Sequence, residues 1–312
     1  MKTLSNQTIL VTGATGFIGT HLTNRLSTQK DIRLLFLSRQ SRVSDEDHIR
    51  WLKGSLSDLT AKYWEQAQIP SIDLVFHLGG FIPKLCSDTN NNERIFTDNL
   101  IGTRTLLEGL PSGIKRIIFA STVDVYAPLL EDEYLTESSN VEPTGLYGSS
   151  KLFCERLISH WASVANCHYS ILRYGHIFGS GEEQYSKLIP QVIRQLLSGE
   201  APNVFGSGMA ERDFLHVNDA VEATIRSALV DGNLGPINVV RGESRPIRDI
   251  VATMIEKSGS KEEINYISNK LEGHSLRFKN DMMRKELGVW PLLSIADGLE
   301  DEITNFKLQA ND

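Results

Sequence analysis

A glycine-rich segment directly after a short apolar run constrains the fold of this chain more than any other feature. The run Thr8–Val11 predicts a strand, and the residues from Phe17 to Leu26 predict a helix. Gly13, Gly16 and Gly19 lie between the two and at the start of the helix. Glycines at these offsets permit a tight turn, close approach of a diphosphate to the backbone and close packing of helix on strand. The helix start would present N–H groups and a positive dipole end to phosphates. A strand, this turn and a helix in succession therefore predict a dinucleotide-binding site.

Apolar runs and amphipathic stretches alternate along the first half of the chain, which is typical of βαβ units around a parallel sheet. Further strands are predicted at Arg33–Leu37, Asp73–Leu78, Lys115–Ala120, Ser170–Arg173 and Ile237–Val240, and further helices at Asn99–Gly109, Tyr147–Ala165, Leu188–Ser198 and Ile247–Lys257. The predicted fold class is α/β, a Rossmann-like doubly wound parallel sheet over residues 1–177. Residues 178–312 are expected to form mainly a smaller C-terminal α/β lobe for the substrate, with some segments returning to the Rossmann sheet.

Charge and cysteine content disfavour several classes of protein. The chain has 32 basic and 39 acidic residues, a net charge of −7, whereas a protein that binds nucleic acid needs a basic surplus. No apolar run approaches the roughly 20 residues that cross a bilayer, and the first residues lack the apolar stretch of a secretory signal. The three cysteines, Cys86, Cys154 and Cys167, form no metal-ligand pattern, and we expect buried structural thiols in a reducing compartment. These observations predict a cytoplasmic enzyme with no nucleic-acid, membrane or metal partner.

The end of the second predicted strand bears on the choice of dinucleotide. NAD-binding folds usually place Asp or Glu there, on the ribose 2′-hydroxyl. This chain instead carries Ser38 and Arg39, with Arg42 close behind. A hydroxyl and a guanidinium can bind a 2′-phosphate through charge-assisted hydrogen bonds, whereas a carboxylate would repel it. A solvated surface arginine is the simpler alternative, but the pair favours NADP(H) over NAD(H).

A tyrosine and a lysine four residues apart open one of the predicted helices. Tyr147 and Lys151 share a helix face, so the phenol and the ammonium can reach one ligand. A nearby ammonium favours the tyrosinate, so we expect Lys151 to lower the pKa of Tyr147 and make it a usable acid or base. The spacing is common by chance, but Thr122 follows the predicted strand Lys115–Ala120. Its hydroxyl can bond the same substrate oxygen as Tyr147.

Several segments together resemble the extended short-chain dehydrogenases/reductases, in the NAD-dependent epimerase/dehydratase group that acts on nucleotide sugars. The glycine-rich turn and the segment Tyr147–Lys151 belong to this pattern, and the other matches extend along nearly the whole chain. These others are Gly54–Asp58, similar to an adenine-contacting GDxxD segment; Phe76–Gly80, similar to an HLAA strand end; Asn99–Thr103, similar to an NxxGT helix; Ser121–Tyr126; Leu172–Gly179, similar to an LRYxNVYG strand; Arg212–Asp219, similar to RDFxHVxD; and Leu287–Pro291, similar to LGWxP.

The resemblance implies roles for individual residues. Thr122, Tyr147 and Lys151 would be the catalytic triad, with Tyr147 as acid/base at the sugar C4 oxygen and Lys151 on the nicotinamide ribose. The cofactor would be bound by the turn, the strand ends and the triad: Gly13, Thr15, Gly16, Phe17, Ile18, Ser38, Arg39, Ser55, Leu56, Leu78, Gly79, Gly80, Asn99, Tyr147, Lys151, Tyr174 and Ile177. The substrate would be contacted by Lys84, Thr122, Asp124, His176, Arg212 and Arg277. Arg212 would hold the diphosphate through its bidentate fork, whereas a surface salt bridge is the alternative for Arg277.

The chain departs from the family pattern at the site. Dehydratases carry Asp-Glu after the triad Ser/Thr, whereas this chain has Val123 and Asp124. Without an acid at position 123, elimination of water lacks its proton donor, which disfavours a 4,6-dehydratase. Asp124 stands where UDP-glucuronate decarboxylases have Glu, so that reaction stays open. His176 replaces the usual Asn, and Ser55 replaces an Asp near the adenine, so those two matches are weaker.

The leading interpretation is an NADP(H)-dependent reductase of a nucleotide-activated 4-keto, 6-deoxy sugar. The alternative is a nucleotide-sugar 4-epimerase, which uses the same triad with a tightly bound cofactor. The pair Ser38–Arg39 favours the reductase, because such an enzyme consumes and exchanges NADPH. A non-catalytic dinucleotide-binding protein is disfavoured, since all three triad residues are present. The resemblance also predicts a homodimer through the helices Asn99–Gly109 and Tyr147–Ala165.

Overall fold

A seven-stranded parallel sheet forms the centre of the molecule. The computed structural model describes residues 3–83, 91–128, 133–183, 185–268 and 273–309. The strands are β1 (Thr8–Thr12), β2 (Arg33–Ser38), β3 (Ile49–Lys53), β4 (Leu74–His77), β5 (Arg116–Thr122), β6 (His168–Tyr174), β7 (His176–Phe178), β8 (Asn203–Phe205), β9 (Glu211–His216), β10 (Leu234–Val239), β11 (Ser244–Pro246) and β12 (Asn265–Ile267). The helices are α1 (Phe17–Ser27), α2 (Ala61–Gln66), α3 (Asn91–Arg94), α4 (Gly102–Gly109), α5 (Leu146–Val164), α6 (Leu188–Leu197), α7 (Val217–Ser227), α8 (Ile247–Ser258), α9 (Asp281–Leu287) and α10 (Ile295–Gln309). Short 3₁₀ helices span Leu56–Asp58 and Val123–Val125, and a π-helix, Ile95–Ile101, joins α3 to α4.

The strand order places a crevice at the centre of the sheet. The order is β10-β6-β5-β4-β1-β2-β3, with every pairing parallel. The chain runs outward from β1 to β3 and outward from β4 in the opposite direction, so the order reverses between β1 and β4. Ligands of doubly wound sheets bind outside the carboxyl ends of the strands at such a reversal. Gly13 follows β1 and Gly79 comes shortly after β4, so the glycine-rich turn lies there. The predicted Rossmann-like α/β fold is confirmed.

Strand β1 is buried on both faces. Ile9 and Val11 pack in the apolar cluster that includes α1, α7 and α9, whereas Leu10 packs with α4 and α5 on the other face. All three side chains are completely buried. This explains the unbroken apolar run, because a parallel strand covered on both faces needs apolar residues at successive positions.

The chain beyond β7 contributes to two regions. Helices α6, α8 and α10 surround a separate apolar cluster that includes Ile193, Ile250 and Leu299. Beside it lie a three-stranded sheet, β11-β9-β7, and the pair β12-β8. Strand β10 instead joins the edge of the main sheet, and α7 packs against α1. A division into lobes at residue 178 stays a prediction. Within the described ranges, no helix combines the length and apolar character needed to cross a membrane.

Candidate active site

The turn after β1 has a backbone conformation and a tight contact that require glycine at position 13. Gly13 has a φ of +70°, and a Cβ there would lie 2.7 Å from the amide nitrogen of Gly79. The Gly79 N–H donates to Thr12 Oγ1 at 3.0 Å, which ties the ends of β1 and β4 together. The N-cap of α1, Gly16, makes no side-chain capping bond, and the first turn carries no acidic residue. A close turn before an uncapped helix start fits the diphosphate of a dinucleotide.

His77, at the end of β4, is completely buried between two threonines. Its Nδ1 lies 2.8 Å from Thr12 Oγ1, and its Nε2 lies 3.0 Å from Thr103 Oγ1. Burial and the charge of Lys151 lower the pKa of His77 to about 3, so the ring is neutral. Each threonine hydroxyl can either donate to or accept from the ring nitrogen that it contacts. The neutral ring therefore bridges the crevice and α4.

Asn99 lies in the π-helix and shapes the second glycine turn. Its Oδ1 accepts the Phe81 N–H at 2.6 Å, and its Nδ2 donates to the Phe81 carbonyl at 3.1 Å and to Ser150 Oγ at 3.2 Å. A Cβ on Gly80 would lie 3.0 Å from Asn99 Oδ1 and 3.4 Å from Lys151 Nζ. Single π-turns are frequent at functional sites. The amide thus links the turn at Gly80 to the start of α5.

The three predicted triad residues come together at the carboxyl end of β5. Thr122 is the last residue of β5, and Tyr147 and Lys151 lie in the first turns of α5. A Cβ on Gly148 would clash with the carbonyl oxygen of Asp124, so only glycine lets the helix start approach the strand end this closely. The approach brings the Tyr147 phenol near enough to the Thr122 hydroxyl to interact with it.

The pKa of Tyr147 differs from the sequence-based expectation. Burial raises it, the Asp124 carboxylate raises it further, and the hydrogen bond with Thr122 opposes both. The Lys151 ammonium donates to the Ala120 carbonyl at 2.9 Å and lies 6.0 Å from the centre of the Tyr147 ring. The expectation that Lys151 lowers the pKa of Tyr147 is therefore wrong for this arrangement. Desolvation outweighs a charge that is held at this distance and directed at another group.

Asp124 adds a carboxylate to the site. Burial raises the pKa of Asp124, and a hydrogen bond with the Thr122 side chain opposes the rise. Burial also lowers the pKa of Lys151 to about 8. The site thus combines a phenol that retains its proton, a carboxyl group and an ammonium. Together they can donate, accept and orient protons at one substrate oxygen.

The end of β2 leaves one arginine open to solvent. Ser38 is buried, and its hydroxyl accepts the Gln40 N–H at 3.1 Å. Arg39 is exposed, and among the described residues its guanidinium has no hydrogen bond or ion pair. Arg42 lies over Trp51, 5.3 Å from the ring centre. Of these groups, Arg39 is the one available to a 2′-phosphate.

The segment expected at the adenine is organised by an internal hydrogen bond. The N–H and the hydroxyl of Ser55 both donate to Asp58 Oδ2 at 2.7 Å. Leu56 is buried, and a Cβ on Gly102 would lie 2.9 Å from its Cβ. The serine that replaces the family's aspartate is therefore tied to the aspartate three residues later.

His176 and Arg212 lie on the paired strands β7 and β9. Burial and the charges of Arg212 and Lys187 lower the pKa of His176 to about 4, so its ring is neutral. The buried Nδ1 of His176 has no hydrogen-bond partner among the described residues. Arg212 donates to the carbonyls of Glu211 and His274 at 2.8 and 2.7 Å. The Arg212 guanidinium suits an anionic ligand such as a diphosphate, whereas the second nearby cation, Lys187, pairs with the buried Glu182 at 2.8 Å.

Arg212 also borders a cavity of about 430 Å³. The residues that line it are Leu188, Gln191, Val192, Arg194, Gln195, Asn203, Val204, Phe205, Ala210, Arg212, Ile247 and Gly273. Arg277 lies outside this lining and forms an ion pair with Glu211, which matches the salt-bridge alternative. A substrate contact by Arg277 stays a prediction, and Lys84 and Cys86 lie outside the described residues.

The remaining predicted cofactor residues divide into two groups. Thr15, Phe17, Ile18 and Leu78 keep solvent-accessible surface around the turn. Tyr174 and Ile177 are buried, and the Tyr174 hydroxyl lies 2.6 Å from Thr224 Oγ1 on α7. Contact of these two residues with a cofactor stays a prediction. No group of three or more His, Cys, Asp or Glu side chains in the described ranges could hold a metal ion.

A segment that the sequence analysis did not single out lies over the start of α1. We call residues 179–183 and 185–187 the cover segment. The Tyr185 and Phe17 rings meet edge to face, with their centres 6.4 Å apart. Lys187 Nζ lies 5.8 Å from the centre of the Phe17 ring. An aromatic and a basic residue soon after β7 were the available signal, but the sequence alone does not indicate which helix they reach.

Comparison with known proteins places this geometry in a family. A model of the family described as NAD dependent epimerase/dehydratase matches residues 9–239, more than half of the chain. The chain belongs to the NAD-dependent epimerase/dehydratase family. It is accordingly an enzyme of the extended short-chain dehydrogenase/reductase type.

Relatives of this epimerase/dehydratase family member carry three different activities in their names. The chain is 28% identical over 306 residues to dTDP-glucose 4,6-dehydratase of Mycolicibacterium smegmatis, covering 91% of this chain and 88% of that protein. It is 28% identical over 323 residues to UDP-N-acetyl-alpha-D-glucosaminuronate decarboxylase of Bacillus cytotoxicus, covering 97% and 98%. A solved UDP-N-acetylglucosamine 4-epimerase from Methanobrevibacter ruminantium M1 superimposes with a TM-score of 0.83 at 25% identity, covering 98% and 99%. Family membership therefore defines the class of enzyme, and the net reaction must be argued from the site.

Proposed function

We propose that the protein is a nucleotide-sugar 4-epimerase that uses Thr122, Tyr147 and Lys151 as its catalytic triad. The likeness to a solved 4-epimerase over nearly the whole chain supports this class. The sequence alone favours a reductase, through Ser38 and Arg39. The observation that favours the epimerase over the reductase is the cover segment at the start of α1.

The residues of the crevice fit a nicotinamide dinucleotide. Gly13, Gly16 and Phe17 would hold its diphosphate, Asn99 would line the turn at its nicotinamide half, and Lys151 would hold the adjoining ribose. Such a cofactor supplies hydride acceptance and return at C4, and its oxidised form adds a positive charge that favours the tyrosinate.

Tyr147 is the acid/base of the proposed reaction. It exchanges one proton with the C4 oxygen of the sugar, and the Thr122 hydroxyl hydrogen-bonds the same oxygen and fixes its position. Asp124 lies close enough to raise the pKa of Tyr147, and this helps to return the proton to the phenol at the end of the cycle. Arg212, beside His176, would hold the nucleotide diphosphate at the other end of the substrate.

The cover segment supports a cofactor that stays bound. Besides Tyr185 and Lys187 on Phe17, the Ser180 carbonyl lies 2.6 Å from His21 Nε2 on α1. These contacts attach the cover segment to α1, the helix whose start would hold the diphosphate, so we expect them to slow release of the cofactor. An epimerase reuses its cofactor in place, whereas a reductase must exchange it at every turnover. The contacts therefore favour the epimerase.

A reductase of a nucleotide-linked 4-keto sugar is the second candidate. Arg39 supports it, because an exposed guanidinium without a partner at the end of β2 suits a 2′-phosphate. NADPH commonly serves as a consumed reductant, so a strong preference for NADP(H) would favour this candidate. A preference for NADP(H) belongs to this second candidate, whereas a cytoplasmic location and a homodimer are proposed for either reaction.

Two assays separate these candidates. Purified protein is incubated with UDP-linked gluco and galacto sugars without added cofactor, and the products are separated by chromatography. The epimerase predicts interconversion, no net oxidation of cofactor and a dinucleotide released on denaturation. The second assay supplies NADPH with a nucleotide-linked 4-keto-6-deoxy sugar, and stoichiometric loss of NADPH absorbance would make the protein a reductase.

Release of carbon dioxide from UDP-glucuronate would instead indicate a decarboxylase acting through Asp124. Tyr147→Phe is the control in each assay.

A further inference from the structure

Two buried side chains of opposite charge lie one turn apart on α5 and do not pair. Lys151 and Glu155 are each 5% exposed. Residues four apart on a helix are neighbours, and an ammonium and a carboxylate at that spacing attract each other. Lys151 nevertheless donates to the Ala120 carbonyl at 2.9 Å and lies 4.9 Å from the centre of the Phe119 ring. Among the described residues no ion pair joins Lys151 to a carboxylate.

The Glu155 carboxylate is held by the sheet instead. Arg173 donates from Nε to Oε1 at 2.9 Å and from Nη2 to Oε2 at 2.7 Å, and the Ser121 hydroxyl donates to Oε1 at 2.5 Å. Ser121 and Arg173 are register partners on β5 and β6, so both reach the same side chain of α5. A bidentate guanidinium–carboxylate pair combines strength with a defined geometry.

The strands fix Arg173 in turn. Its guanidinium is buried and lies 4.8 Å from the centre of the Tyr126 ring. The Tyr126 hydroxyl donates to Asn238 Oδ1 at 2.6 Å, and Asn238 is the register partner of Arg173 on β10. Three strands therefore determine where the Glu155 carboxylate is held.

We propose that Arg173 is a positioning residue for Lys151: by holding Glu155 in a bidentate pair, it keeps that carboxylate away from the ammonium one turn earlier. Lys151 Nζ then stays beside Gly80, where a Cβ would lie 3.4 Å from it. Without Arg173, Glu155 would be a buried and unpaired charge, a state costly enough that it would draw in Lys151. The inference rests on the proposed function, in which Lys151 holds the cofactor ribose.

The charge of Lys151 provides a second way to detect this effect. The groups that face it are Tyr147, Cys154 and Glu155 on α5 and the neutral His77 on β4, while Arg173 on β6 reaches it only through Glu155. Burial lowers the pKa of Lys151 to about 8, and Glu155 opposes this. Without Arg173, the Glu155 charge acts on Lys151 uncompensated and raises its pKa. Affinity for the anionic dinucleotide should fall at high pH, where Lys151 loses its charge. In a variant without Arg173, this fall should begin at a higher pH than in the wild type.

Four variants test the proposal: Arg173→Met, Arg173→Lys, Glu155→Gln and the double variant Arg173→Met/Glu155→Gln. Dinucleotide Kd is measured by titration calorimetry between about pH 6.5 and 9.5, a range that spans the titration of a lysine with a lowered pKa. Arg173→Met should weaken binding about tenfold or more, the value of one hydrogen bond from a charged donor. Arg173→Lys should weaken it much less. Glu155→Gln and the double variant should bind within about threefold of wild type, since neither retains the competing charge.

The pattern distinguishes positioning from simple stabilisation of the fold, which thermal unfolding of each variant monitors. The inference would be overturned if Arg173→Met and Glu155→Gln weakened dinucleotide binding equally, or if the double variant bound the dinucleotide as weakly as Arg173→Met does. If Arg173→Met does not fold, the double variant decides, because tenfold weaker binding in a folded double variant would also overturn it. Failure of the wild type to bind any dinucleotide would contradict the proposed function itself, and this inference with it.

Discussion

At the scale of single residues, the phenol of Tyr147 offers a clean separation of chemistry from folding. Tyr147→Phe removes one hydroxyl, which interacts with Thr122, and leaves the ring in place. We expect kcat to fall by about 10²–10⁴-fold, the usual contribution of a positioned acid/base. Dinucleotide Kd and the unfolding temperature should change little. Tyr266→Phe, at an exposed tyrosine of β12, is the matched control. A Tyr147→Phe variant that retains nearly full kcat would show that the triad assignment is wrong.

A second residue-scale prediction concerns Arg39. Arg39→Asp replaces the exposed guanidinium at the end of β2 by a carboxylate, which repels a 2′-phosphate and can accept a bond from a 2′-hydroxyl. The affinity for NADP(H) should fall roughly tenfold or more, while that for NAD(H) is kept or improved. Titration of both cofactors into both proteins measures this. Arg25→Asp is the control, because it changes the net charge by the same amount at an exposed site on α1. Equal or tighter binding of NAD(H) by the wild type would refute the NADP(H) preference.

At the scale of elements, the sequence predicts those strands and helices whose conformation follows from their own residues. Strand β1 is predicted at Thr8–Val11 and observed at Thr8–Thr12, because an unbroken apolar run matches burial on both faces. Strand β3, Ile49–Lys53, was missed. It pairs with β2 at the sheet edge and mixes charged with apolar residues without a regular alternation, so its conformation depends on the neighbouring strand more than on its own composition.

In the candidate site, too, features that depend on neighbouring residues were predictable from the sequence, and those that depend on distant residues were not. The glycine turn and the triad were predictable because each lies within a few residues of one strand or helix end. The ion pair of Arg173 with Glu155 and the ring contact of Tyr185 with Phe17 join residues far apart in sequence, so only the folded chain reveals them. The raised pKa of Tyr147 was likewise hidden, since desolvation depends on every group packed around the phenol.

The turn between β1 and α1 yields an element-scale prediction. Gly13→Ala places a Cβ 2.7 Å from the Gly79 nitrogen at a φ of +70°. Gly259, the C-cap of α8, has a φ of +74° with no atom near its Cβ position, so Gly259→Ala isolates the conformational cost, about 1–2 kcal/mol. Gly13→Ala should lose clearly more unfolding free energy and should also weaken dinucleotide binding, as chemical denaturation and calorimetry would measure. Equal destabilisation by the two variants, with cofactor affinity unchanged, would contradict the role assigned to the turn.

At the scale of the whole molecule, stability should depend on pH through Glu302 of α10. This side chain is completely buried, and burial, together with Glu183 and Glu182, raises its pKa to about 8. The folded state then keeps a proton that the unfolded chain releases near pH 4.5. Stability should therefore fall as pH rises from about 4.5 to 8, by at most about 1.4 kcal/mol per pH unit from this group. Urea denaturation of Glu302→Gln should show a gain over wild type at pH 7.5 that shrinks toward pH 5. The exposed Glu256→Gln is the control, and a gain independent of pH would contradict the account.

The association of two molecules is the last prediction at this scale. Helix α5 and the neighbouring π-helix expose large apolar side chains, with Phe96 56%, Phe153 52% and Val164 75% exposed. Burying one such side chain contributes roughly 1.5–3 kcal/mol, so a symmetric contact that uses each residue twice can hold a dimer together at micromolar concentration. Sedimentation of the wild type should give a dimer mass. Phe153→Glu should give a monomer mass, because a symmetric contact would bury one glutamate charge from each subunit. Leu292→Glu, at an apolar residue 87% exposed and outside these helices, should leave the dimer intact. A wild type that sediments as a monomer, or equal dissociation by both glutamates, would remove these helices as the dimer contact.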